Sequence, residues 1–130
     1  MRTLSPYSDT GPLAVLARLS FLVVLTAIVV ATLAPGWLVP QLLHSHNLEH
    51  FAAFYVATVA ALAALPGTPA RRIGLAFVMF SLLLQGVQLF REATFQTAME
   101  NWVADTGGVL AAIAPVIVER FRQRLRRPAL

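Results

Sequence analysis

Three clusters of polar side chains interrupt an otherwise apolar chain, and each carries groups able to do chemistry. The first is His44-Ser45-His46-Asn47-Leu48-Glu49-His50. On a helix, His46 and His50 lie four apart on one face, while Glu49 is offset. Imidazole nitrogen is a common zinc ligand, so His44, His46 and His50 form a possible metal set. The plainer reading is a run of interfacial polar residues ahead of a membrane span, and no second ligand cluster has recognised zinc spacing. No metal or other cofactor is therefore expected.

The second cluster is Gln85 and Gln88, three apart and on one helical face. A glutamine amide in lipid needs a partner, so both should face a protein interior. Interhelical glue, worth around 0.6 kcal/mol per contact, explains them as well as a ligand role does. The third is Glu100-Asn101-Trp102-Val103-Ala104-Asp105-Thr106-Gly107-Gly108, in which Asn101, Asp105 and Gly108 line one face. Asp105 is the sharpest single residue. A carboxylate at the membrane centre costs roughly 2.5–3.5 kcal/mol on insertion scales, so it marks a functional candidate unless it reaches interfacial water. His50 is its natural partner, with Gln88 and Asn101 expected to complete the hydrogen bonds.

These residues could support acid–base work, because a carboxylate orients a nearby imidazole and favours its protonated form. A nucleophile is harder to find. Ser45, Thr97 and Thr106 are hydroxyls without a diagnostic context, and the chain has no cysteine. That also excludes disulfides and thiolate metal sites. A non-enzymatic protein is expected rather than a catalyst.

The elements that must position these groups follow from the rest of the chain. It is 58% hydrophobic and only 12% charged, with a mean hydropathy of +0.71. That is too apolar for a single water-soluble core. Apolar runs cover about 13–33, 51–65, 73–90 and 101–118. A span of about 20 residues crosses a hydrocarbon core of about 30 Å. The expected fold is all-α: a polytopic membrane protein with four transmembrane helices in one compact bundle, residues 1–130 forming a single domain. The first run exceeds the usual signal-peptide core of about 7–15 residues and three more spans follow it, so it reads as a span.

Arginine sets the orientation. Nine of the ten basic residues, all Arg, fall where the helices meet one side: Arg2, Arg18, Arg71, Arg72 and the tail Arg120, Arg122, Arg124, Arg126 and Arg127. Only Arg91 falls on the other. Cytoplasmic loops retain such charge, so both termini are expected inside a bacterial cytoplasmic (inner) membrane, with Gln41 and Gln96 outside. Pro66-Gly67-Thr68-Pro69 makes a tight inner turn; Pro35 to Pro40, with Trp37 suited to the interface belt, opens the first outer loop, and Arg91 to Glu100 is expected to form the second. The basic tail 119–130 suits anionic lipid head groups, at roughly 1 kcal/mol per residue near the surface. Membrane lipids and a membrane protein are the expected partners; nucleic acid is not.

Taken in order, these motifs resemble the VanZ-like membrane proteins. That family shows Asp-Lys-x-x-His-Phe before its second span, Glu-x-x-Gln in the third and Asp-x-x-x-Asn-x-x-Gly in the fourth. Here His50, Phe51, Gln88 and Gly108 match outright. Asn101 and Asp105 look like the family's Asp and Asn exchanged. His46 and Asn47 stand in place of Asp-Lys, Gln85 in place of Glu, and Thr97 in place of a loop Ser whose companion Arg is missing. The resemblance covers roughly His44 to Ala112. It implies an envelope membrane protein, linked in some family members to low-level glycopeptide (teicoplanin) resistance. Its polar site is expected at the outer face, built from His50, Gln85, Gln88, Asn101 and Asp105, with His46, Glu49 and Glu100 secondary. The alternatives are a membrane-embedded enzyme acting on a lipid-linked substrate, a small metal or transport protein, and a subunit of a larger complex.

Overall fold

The computed structural model describes residues 11–34, 46–91 and 93–126. Four helices account for nearly all of them: α1 (Pro12–Leu33), α2 (His46–Ala64), α3 (Ala70–Phe90) and α4 (Phe95–Arg126). Each is long and apolar enough to cross a membrane. They pack as a bundle, with no strand among the described residues.

Sequence chemistry explains the boundaries. Pro12 sits in the first turn of α1, where a missing N–H costs nothing. Pro66 stops α2 just after Ala64, and the Leu65–Pro69 turn returns the chain within five residues. The α4 boundary departs from the sequence expectation. Residues 95–100 were assigned to a loop, yet α4 begins at Phe95. The Thr94 hydroxyl accepts the Thr97 backbone N–H at 3.2 Å, an N-cap, and Gln96 donates to Glu100 at 3.2 Å across the first turn. The α4 helix then runs unbroken through Pro115 into the basic tail as far as Arg126. Likewise α2 begins at His46, five residues before the apolar run.

Contacts fix the topology. Phe21 of α1 meets Phe77 of α3 edge-on at 6.3 Å, and Gln88 and Arg91 near the end of α3 bond the main chain near the end of α1. These two helices are therefore parallel. Early residues of α2 meet early residues of α4, as His50 does Asp105, so this pair is parallel too and runs opposite to the first. The bundle thus has a basic end, with Arg71, Arg72 and the α4 tail, and a polar end, with His50, Gln88 and Asn101. Of the helix pairs in contact, α2–α4 is the most extensive and α1–α3 the least.

The core includes Phe54, Ala57, Ala61, Ile73, Phe77, Val109 and Ile113, to which α1 adds buried Ile28 and partly buried Phe21, Val24 and Leu25. Backbone proximity comes from small residues, as expected where lipid supplies no hydrophobic drive between helices. A Cβ built at Gly108 would overlap the Phe51 carbonyl oxygen and stand 3.0 Å from the Tyr55 nitrogen. Helix α4 can therefore approach α2 this closely only with glycine there. Apolar side chains such as Leu16, Val23, Leu83 and Leu110 face outward, the inverse of a water-soluble bundle.

Candidate functional site

The site is centred on Asp105, whose side chain is 0% exposed. It lies ten residues into α4, nearly three turns from the helix start. A span beginning at Asn101 would place it in the first turns; the start of α4 at Phe95 makes it deeper. A carboxylate reaching interfacial water is ruled out by its complete burial. Instead both of its oxygens are occupied by protein. Oδ1 lies 2.8 Å from His50 Nδ1, and Oδ2 accepts the Ser81 hydroxyl at 2.5 Å.

Three helices supply the three partners. His50 comes from the second turn of α2, Ser81 from α3 and Asp105 from α4. Gly108 lies one turn beyond Asp105 on the same face, so the close α2–α4 approach that glycine permits is what brings the imidazole to the carboxylate. The geometry orients the ring: Nδ1 is turned to Asp105, so Nε2 projects away from the carboxylate. The His50 side chain is 16% exposed and marks the rim of the site. Ser81 is fully buried and spends its proton on Asp105 rather than facing the imidazole. The order Ser–Asp–His therefore differs from a hydrolase triad, in which the imidazole stands between hydroxyl and carboxylate.

The other expected site residues form separate pairs. Asn101 Nδ2 donates to Gln85 Oε1 at 3.4 Å, both buried, one layer from Asp105 toward the polar end. Gln88 does not reach Asp105 at all. Its amide donates to the Thr32 carbonyl of α1, while Arg91 donates to the Leu33 carbonyl at 2.5 Å. Together these two side chains occupy the last carbonyls of α1, groups that no intrahelical N–H can satisfy. Thus Gln88 and Asn101, assigned to complete the Asp105 bonds, are replaced in that role by Ser81.

Glu100 is exposed and bonded to Gln96, away from the site. Glu49 is half-buried beside His50 in sequence. His44 and the His46 side chain lie outside the described residues, as do Gln41 and the Pro35–Pro40 loop. No group of three or more metal-ligating side chains occurs among the described residues. Trp102 braces the site by donating its indole N–H to the Val78 carbonyl at 3.3 Å, linking α4 to α3. The Thr106 hydroxyl is buried with no partner among the described residues.

Ser81 was missed from sequence, although a signal existed. Ser81, Gln85 and Gln88 fall at i, i+4 and i+7, one polar stripe on an apolar helix. The class defined by this fold and site is a multi-pass bundle with a buried Ser–Asp–His hydrogen-bonded chain. Comparison with protein-family models, with curated proteins and with solved structures finds no match. The VanZ resemblance therefore rests on its motif residues alone.

Proposed function

We propose that the chain is a VanZ-like cell-envelope protein of the bacterial cytoplasmic membrane, with both termini cytoplasmic and its polar end outward. In this reading the buried Asp105 holds His50 at the rim, where the imidazole engages the polar head group of an envelope lipid without catalysis. The observation that carries it is the engagement of both Asp105 oxygens, by Ser81 and by His50. A carboxylate held between two neighbouring helices in this way is a strut that fixes the imidazole. Ser81, the hydroxyl nearest at hand, is buried and committed, which disfavours covalent catalysis.

The carboxylate-held imidazole also favours the alternative of a membrane-embedded enzyme, because that arrangement is used in general acid–base chemistry. One experiment separates these readings. A host lacking the gene is supplied with the wild type, His50→Ala or His50→Gln, and its teicoplanin susceptibility is measured beside the amount of membrane-extracted protein. We expect wild-type protein to lower susceptibility, His50→Ala to lose the effect, and His50→Gln to keep much of it, since an amide can still hydrogen-bond but cannot transfer protons at neutral pH. Complete loss in His50→Gln favours the enzyme. Equal susceptibility with wild type and empty vector overturns the glycopeptide reading.

A further inference from the structure

At the basic end a groove opens between α1 and α3, which touch less than any other contacting pair of helices. Its volume is about 410 Å³, within the range of small-molecule sites. Phe21 and Leu25 of α1 form one wall, and Phe77 and Phe80 of α3 the other. The small side chains of Ala61 and Ala76 leave the space between them. Nearly all of the lining is carbon. The exceptions stand together at one mouth: Thr68 in the α2–α3 turn and Arg72 in the first turn of α3.

Dimension and charge both identify what fills such a groove. Eight residues separate Arg72 from Phe80, about 12 Å of helix at 1.5 Å per residue. Half of a hydrocarbon core of about 30 Å is about 15 Å, so the groove is close to one leaflet deep. Its apolar part lies where an acyl chain runs and its basic mouth where a head group sits. Among the described residues Arg72 has no acidic partner, and neither has Arg71 beside it. The described acidic side chain at this end, Glu119, is bonded to Arg122 and Gln123. No side chain caps the α3 N-terminus, whose dipole adds positive potential at the same mouth.

We infer that this groove binds the acyl chain of an anionic phospholipid from the leaflet at the basic end, with Arg72 pairing its phosphate-bearing head group. The assignment depends on the helices lying in a membrane and is independent of the VanZ reading and of the His50 site.

The test is lipid retention. Full-length protein is placed in nanodiscs of equimolar phosphatidylglycerol and phosphatidylcholine with identical oleoyl chains, released, and weighed with its bound lipid by native mass spectrometry. Phosphatidylglycerol should be enriched about fivefold, the weight of one basic residue at a membrane surface. Arg72→Gln should remove most of the enrichment, whereas Arg72→Lys, which keeps the charge at the mouth, should retain it. Ala76→Trp should fill the groove and reduce retention of both lipids. Parity in the wild type, enrichment that survives Arg72→Gln, or equal loss in Arg72→Lys overturns the assignment. So does a lipid-free dimer, which would mean that a second copy covers the groove. If Ala76→Trp fails to fold, the comparison of the two Arg72 variants decides alone, since that side chain is exposed.

Discussion

Asp105 illustrates how an expensive side chain is kept in an apolar bundle. Each oxygen has a partner from a different helix, so removing the carboxylate orphans two groups at once. Asp105→Ala should lower stability in detergent by about 3–5 kcal/mol, the usual result of breaking a buried pair. Ser81→Ala removes one donor and should cost about 1 kcal/mol, near the range found for polar contacts between membrane helices. A thermal or denaturant series on the purified variants checks the ranking, and equal losses would mean that Ser81 carries the chain. His50→Ala and Asp105→Ala should be strongly non-additive, because either change alone breaks the same bond. Strictly additive losses in a double-mutant cycle would separate the two residues. The His50–Asp105 pairing was legible in sequence, since both lie toward the same side of apolar runs and neither tolerates lipid. Ser81 was not, because a lone hydroxyl in a helix usually bonds its own backbone, as Thr58 does to the Phe54 carbonyl at 2.7 Å.

Among the helices, the closest fit is α4 on α2. Gly108→Leu should abolish folded yield in detergent, because even a Cβ there overlaps the α2 backbone. Gly86→Ala on α3 has nothing within 4 Å of the new methyl and should stabilise by up to about 1 kcal/mol through helix propensity. Leu110→Ala changes an outward-facing side chain and should fall between them, near neutral. Fluorescence-detected gel filtration of the three variants is sufficient; similar monodisperse yield for Gly108→Leu and Gly86→Ala would refute the packing account. The four helices themselves could be read from apolar runs and prolines. The start of α4 could not, because its first two turns are polar and are held by the Thr94 cap and the Gln96–Glu100 bond rather than by hydropathy. The fastening of α1 was equally hidden. Gln88 and Arg91 bond carbonyls, and every residue has a carbonyl, so no residue type on α1 announces the contact.

At the scale of the molecule, charge asymmetry predicts its orientation. Reporter fusions at the C-terminus and in the 91–94 connection should report opposite sides, with the C-terminus cytoplasmic. A periplasmic C-terminus would invert the proposed topology and place the His50 site on the inner face. The four-helix architecture was evident from composition and spacing alone. The partition of its polar residues into an Asp105 chain, a Gln85–Asn101 pair and an α1 anchor needed three-dimensional packing, because all of them share one end of the bundle.

Helix α4 carries its buried carboxylate inside its apolar span, and this has a consequence for biogenesis. An unpaired aspartate in a span opposes release from the insertion machinery into lipid, by up to roughly 2.5–3.5 kcal/mol at the centre. The two groups that relieve this penalty, His50 and Ser81, precede it in the chain and are synthesised first. Order of synthesis therefore matches order of need: α2 and α3 already present the docking groups when α4 emerges. Helix α4 enters the membrane as a client of the two helices that precede it, and removal or reordering of those segments would strand it at the exit of the translocation channel.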